Sequence, residues 1–209
     1  MTRFVIVRHG ETEWNRVERF RGRADVPLNE VGLSQAEATA RRIETLWQAA
    51  AVYSSPLSRA VKTAEAIAGR FSLRVQVHPE LIDIDYGQWQ GLLPEDVRER
   101  WPELLSAWYE APHTVRIPGG ESLEDLRVRC GSAVNEIGAR HSGSTVVLVA
   151  HTVINRVILL IMLGLGNDRF WHFRQDTCAI NEIEAEGGEF TLASMNDTCH
   201  VRHHGRASE

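Results

Sequence analysis

The chain has 209 residues, of which 43% are hydrophobic and 24% charged, enough for a single domain with a sizeable core of its own. A net charge of -5 argues against non-specific nucleic-acid binding, and the most apolar segment, Val157 to Leu165, is too short to span a bilayer. Met1-Thr2-Arg3 runs directly into an apolar strand, so no signal peptide is expected. Three scattered cysteines, Cys130, Cys178 and Cys199, argue against a disulfide framework or a thiolate zinc site and fit a reducing, cytoplasmic compartment.

Residues 3–8 form the first expected strand. Phe4-Val5-Ile6-Val7 is apolar and ends abruptly in Arg8-His9-Gly10. A buried parallel strand delivers such residues to its carboxyl end, where open α/β sheets bind ligands. Gly10 allows a tight turn there, Arg8 offers a planar fork suited to phosphate, and an imidazole beside that fork can attack phosphorus. A helix follows over 30–47, with Asn29 near its start as a cap, and then a strand over 51–54. Pro56 suits the first turn of the next helix, 57–70, which places Arg59 near the same sheet edge. A strand is expected at 73–77.

Residues 86–121 contain Pro94, Pro102, Pro112 and Pro118 and three of the six tryptophans. They read as a small cap insertion with one helix over 94–109. A helix over 122–140 starts near Ser122, and the apolar strand 145–150 ends in His151-Thr152 before a helix over 153–163. Strands at 179–184 and 189–195 form an antiparallel hairpin about Gly187-Gly188. The tail from Val201 is polar and expected to be mobile. The alternation implies an α/β fold: a mostly parallel central sheet with helices on both faces, in one domain spanning 1–209. Two strands that each deliver a histidine, His9 and His151, to one edge are an unusual coincidence. Neither lies in a His-Glu-x-x-His pattern, and no carboxylate stands near either in a ligand pattern beyond Glu11, so no metal site is expected.

Arg8-His9-Gly10-Glu11-Thr12 followed by Trp14-Asn15 resembles the signature of the histidine phosphatases, the phosphoglycerate-mutase-like superfamily. Further matches are Ser54-Ser55-Pro56-Leu57-Ser58-Arg59, Val149-Ala150-His151, Gly119-Gly120-Glu121-Ser122 and the run from Glu80 to Gly91. The resemblance implies that His9 is the nucleophile and forms a phosphohistidine. It implies that Arg8, Arg59 and Asn15 hold the phosphoryl oxygens and that His151 faces His9 across them. Thr152 joins these as a substrate contact, and Arg21 and Gly22 lie in a loop touching phosphate or substrate. The family places its proton donor, usually Glu, four residues before the Gly matching Gly87. Here that position is Asp83, with Glu80 and Asp85 as alternatives. Asn196 to His200 resembles the metal-independent phosphoserine phosphatases, which makes His200 a candidate substrate contact.

The implied activity is hydrolysis of a small phosphomonoester, phosphoserine or a phosphoglycerate-type acid, without a cofactor, with Arg21 and Arg116 as cations for the carboxylate. Two alternatives stand beside it: a phosphoglycerate mutase, and a catalytically weak phosphate-binding regulatory protein. Against the mutase, Pro94 stands where that group carries Lys, and Ala107-Trp108-Tyr109 where it carries Arg-Arg. Homodimerisation is left open.

Overall fold

The apolar runs settle side by side in one twisted sheet. In the computed structural model, which describes residues 1–17 and 19–201, β1 (Thr2–Arg8), β2 (Ala49–Ser54), β3 (Val75–Val77) and β4 (Thr145–Ala150) run parallel. β5 (Ile180–Glu186) and β6 (Glu189–Asp197) complete the sheet antiparallel, in the order β3-β2-β4-β1-β5-β6. The β5–β6 turn is the expected Gly187-Gly188, at φ 60° and 88°. Two consecutive positive φ angles give the turn whose twist suits a hairpin.

Seven helices among the described residues cover the sheet: α1 (Glu13–Arg16), α2 (Glu30–Leu46), α3 (Ser58–Arg70), α4 (Pro94–Arg100), α5 (Pro102–Glu110), α6 (Leu123–Arg140) and α7 (Thr152–Met162). The two-residue period of β1 and β4 divides the core. Phe4, Ile6, Val146 and Leu148 pack with α6, α7 and the aromatic residues of 86–121, while Val5, Val7, Val147 and Val149 pack with α2 and α3. Each such side chain, fully buried, contributes about 1.5–3 kcal/mol, so the strands that carry the histidines are anchored by burial on both faces.

Both expected caps form: Asn29 accepts from Gly32 N at 2.8 Å, and Ser122 and Asp125 form a reciprocal capping box. The helix expected over 94–109 is two helices. Pro102 lacks the N–H that would continue α4, and Trp101 before it leaves the helical region at φ -139°, ψ 60°. No disulfide joins the three cysteines. No described helix is long and apolar enough to cross a membrane. Apart from Val201 itself, the expected mobile tail lies outside the described residues.

The site is positioned by strand register. Arg8 stands opposite Ala150, so β1 and β4 release His9 and His151 at the same level, and His9 N donates to Ala150 O at 3.0 Å. On the other side of β4, β2 ends in Ser54 and Ser55 N donates to Val149 O at 3.0 Å. The turn after His9 is then locked against the start of α2. A Cβ on Gly10 would come within 2.5 Å of the Gly32 carbonyl oxygen, and one on Gly32 would meet the Glu11 carbonyl oxygen.

Gly32→Ala should therefore destabilise the fold by about 1–3 kcal/mol through overpacking against rigid backbone. Gly69→Ala, at a helical position where a Cβ meets nothing within 4 Å, should leave stability unchanged or raise it. Urea unfolding midpoints compare the two; a Gly32→Ala midpoint equal to wild type would show that the turn is not locked.

Candidate active site

A cavity of about 450 Å³ opens above the carboxyl ends of β1 and β4. His9 lies at its base, and its ring centroid is 5.2 Å from that of His151, with the planes 59° apart. His9 Nδ1 donates to the Gly10 carbonyl at 2.7 Å; a carbonyl oxygen can only accept, so Nε2 carries the lone pair. Burial, then the charge of Arg59, hold the His9 imidazole well below its ordinary pKa, and the same two causes act on His151. A neutral imidazole with a free Nε2 lone pair is the form that can attack phosphorus. His151 Nε2 shares a 2.7 Å hydrogen bond with Ser55 Oγ, which orients its ring.

Arg8 and Arg59 bring charge to this pair. Arg8 lines the cavity and is held by donation from Nη1 to the Gln175 carbonyl at 2.6 Å. Burial pushes it down to about 9, which leaves it a cation at neutral pH. Arg59, in the first turn of α3, is fully buried and donates to the carbonyls of Ala24 at 2.7 Å and Gly22 at 2.8 Å. The Nε atoms of Arg8, Arg21 and Arg59 and Nδ1 of His151 are buried and make no hydrogen bond. Guanidinium donors buried in this way are costly unless an acceptor arrives, and a phosphoryl group supplies up to three oxygens.

Asp83 lines the same cavity, with Oδ2 3.3 Å from Arg59 Nη2 and 3.6 Å from His151 Nδ1. Burial raises its pKa against the lowering pull of Arg59, which favours the protonated form a general acid needs. Its loop is braced from behind. Arg129 donates to the carbonyls of Glu80 and Asp83 at 2.5 Å and 3.3 Å, and Glu121 accepts from Asp85 N at 2.9 Å. A Cβ on Gly87 or Gly120 would strike the opposing backbone, so these two loops are in main-chain contact. Of the alternative donors, Glu80 lines a different cavity and Asp85 is held by Arg23 at 3.2 Å.

Asn15, Arg21, Gly22 and Thr152 also line the cavity. Asn15 Oδ1 is occupied by Thr12, through its backbone N at 3.0 Å and its hydroxyl at 2.8 Å, so Nδ2 is what it can offer an anion. His200 is not brought to the cavity. Its Nε2 is 3.0 Å from Thr39 Oγ1 of α2, because the chain after β6 turns toward that helix and Asp197 pairs with Arg42 there. Arg116 is likewise absent from the cavity and pairs with Asp125 at 2.9 Å.

Several lining residues escaped the sequence reading: Arg19, Tyr109, Arg156, Trp171, Arg174 and Asp176. Arg156 had a signal, since it follows Thr152 by four positions on the same face of α7. Its Nε donates to the Phe173 carbonyl at 2.6 Å, and its guanidinium lies 4.7 Å from the Trp171 ring centre.

A family model for the histidine phosphatase superfamily, branch 1, matches residues 4–198. The chain belongs to this superfamily. The phosphoserine phosphatase 1 of Hydrogenobacter thermophilus is 38% identical over 201 residues, covering 96% of this chain and 95% of that protein. A metal-independent phosphoserine phosphatase of Arabidopsis thaliana is 41% identical over 203 residues, covering 96% and 84%. The structure superposes on a phosphoserine phosphatase of Entamoeba histolytica, solved in complex with 3-phosphoglyceric acid, with a TM-score of 0.85 at 27% identity, covering 96% of this chain and 100% of that one.

His9, which follows β1, is buried, and burial holds its imidazole well below the ordinary pKa. Since burial disfavours its charged form, the His9 imidazole should remain neutral as the pH is lowered through 6.5 and take up a proton only below that value. Nitrogen NMR of the imidazole against pH measures this directly. A midpoint at or above 6.5, abolished in His9→Ala, would contradict the assigned environment.

Proposed function

We propose that this phosphatase hydrolyses a small phosphomonoester bearing a carboxylate, phosphoserine or a phosphoglycerate-type acid, through a phosphoryl group carried on His9. His9 Nε2 forms the bond to phosphorus as the P–O bond to the leaving group breaks. Arg8, Arg59, His151 and Asn15 stabilise the charge on the transferring oxygens. Asp83 gives its proton to the departing alkoxide. It then accepts one from the water that attacks the phosphohistidine, which returns His9 to its starting state.

The observation that carries this reading is the surplus of guanidinium charge. Arg8, which lines the cavity, and the fully buried Arg59 behind Asp83 are enough for a phosphoryl dianion, yet Arg19, Arg21 and Arg156 also line the cavity. Each of these three donates to a main-chain carbonyl, of Gly91, Trp14 and Phe173 respectively, and those bonds leave the positive charge uncancelled. A second anionic group on the substrate makes use of that surplus, and a carboxylate accepts bidentately from arginine. The phosphoserine phosphatases similar to this chain, and the 3-phosphoglyceric acid in one of their structures, support the same class. Hydrolysis is favoured over mutase activity because Pro94 and Tyr109, uncharged, line the cavity in the regions where mutases of the family carry cations. The three cysteines without a disulfide support a cytoplasmic setting.

A panel of phosphorylated metabolites compared by kcat/KM tests the reading. Phosphoserine and the phosphoglycerates should lead, and Asp83→Ala should slow them about 10²–10⁴-fold while affecting an aryl phosphate less, since an aryl oxide leaves without a proton. Sugar phosphates faster by tenfold or more would move the substrate class, and Asp83→Ala activity equal to wild type would remove Asp83 from its role.

A further inference from the structure

Besides Asp83, one other carboxylate among the described residues lines the cavity, Asp176, and the phosphoryl chemistry makes no use of it. Its place is fixed from several sides. Its backbone N donates to Asn196 Oδ1 at 2.8 Å, and Asn196 Nδ2 donates back to Asp176 Oδ2 at 3.0 Å. Arg174 Nε donates to Oδ1 at 2.9 Å, and the Asp176 carbonyl accepts from Ala179 N at 3.1 Å.

Asn196 adopts φ 54°, and its own N donates to Asn181 Oδ1 at 3.0 Å. Asn181 in turn donates to the Ile6 carbonyl of β1 at 3.0 Å and forms a reciprocal amide pair with Gln175 at 2.7 and 2.9 Å. A chain of amides, half-buried at Asn196 and buried at Asn181 and Gln175, thus ties this carboxylate to the strand that carries His9.

The chain of contacts also reaches the phosphoryl end of the cavity. The carbonyl that holds Arg8 belongs to Gln175, the residue immediately before Asp176. Asp176 lines the same cavity as His9 and Arg8, and its side chain is 38% exposed. Burial alone would raise the Asp176 pKa, but the hydrogen bonds from Arg174 and Asn196 outweigh it and hold the carboxyl below its ordinary value. Asp83, by contrast, is raised by burial, so Asp176 is the one of the two that holds its charge more readily.

We propose that Asp176 receives the α-ammonium group of the substrate, which makes the substrate class the O-phosphorylated α-amino acids and not their hydroxy-acid counterparts. This rests on the carboxylated phosphomonoester reading above and sharpens it. The cavity is lined by Arg8, Arg19, Arg21, Arg156 and Arg174, of which Arg174 is ion-paired with Asp176, so an entering ammonium is repelled unless a fixed carboxylate faces it. A hydroxyl at the same carbon suffers no such repulsion and gains little from an anion, so the carboxylate discriminates between the two. Asn196 then acts as a positioning residue through its reciprocal pair with Asp176.

O-phospho-L-serine and D-3-phosphoglycerate isolate the effect, because they differ at the α-carbon mainly in ammonium against hydroxyl. The wild-type protein should favour phosphoserine by at least tenfold in kcat/KM. Asp176→Asn should reduce that ratio tenfold or more, mainly through KM for phosphoserine. Asp176→Glu should retain more of the preference, and Asn196→Ala should lower the ratio in the same direction by less. An unchanged ratio in Asp176→Asn, even with both activities reduced, would overturn the inference, as would a wild-type preference for phosphoglycerate, which leaves the broader function intact. A wild-type protein that turns over neither substrate would overturn the broader function itself, before any variant is made.

Discussion

Guanidinium groups held by main-chain carbonyls are the interaction on which this site depends. Arg8 is fixed by Gln175, Arg21 by Trp14, Arg59 by Gly22 and Ala24, and Arg156 by Phe173. Several arginines elsewhere pair with carboxylates instead: Arg3 with Glu182 and Glu184, Arg70 with Glu37 and Glu44, and Arg116 with Asp125. A carbonyl orients a guanidinium through a hydrogen bond without cancelling its charge, whereas a carboxylate does both. Burying such charge costs free energy that the anionic ligand offsets, so the fold stores an electrostatic demand for phosphate in a protein of net charge -5.

That arrangement also accounts for the two histidines. Imidazoles removed from water beside guanidinium groups stay neutral, and a neutral ring is the nucleophilic one. Among the described residues Asp83 is the carboxylate in contact with this set, and the same burial favours its protonated form. The aspartate in place of the family's usual glutamate is one methylene shorter. The loop that carries it is pinned to the 118–121 segment by backbone contact and by Arg129, so the backbone brings the shorter side chain to the cavity.

Much of this was legible in the chain itself. The strand that ends in Arg8-His9-Gly10 and the strand that ends in His151 carry their own signal, because continuous apolar runs identify buried parallel strands and the residue after each run must sit at the carboxyl edge. Pro102 marked the break between α4 and α5 through its missing N–H, although the apolar pattern spanned it. The outer wall of the cavity was not legible. Trp171, Arg174 and Asp176 come from an irregular segment after α7, where no period relates position to face. His200 shows the converse: a short motif placed it near a substrate, but the turn after β6 carries it to Thr39 instead.

The central claim is that His9 takes the phosphoryl group covalently. Rapid quenching of the protein with phosphorus-labelled phosphoserine, followed by peptide mapping, tests it most directly. The label should appear within one turnover on the peptide containing His9, stable to base and lost in acid, and should be absent from His9→Ala. Turnover that proceeds with no protein-bound label at any quench time, or label on another residue, would contradict the account.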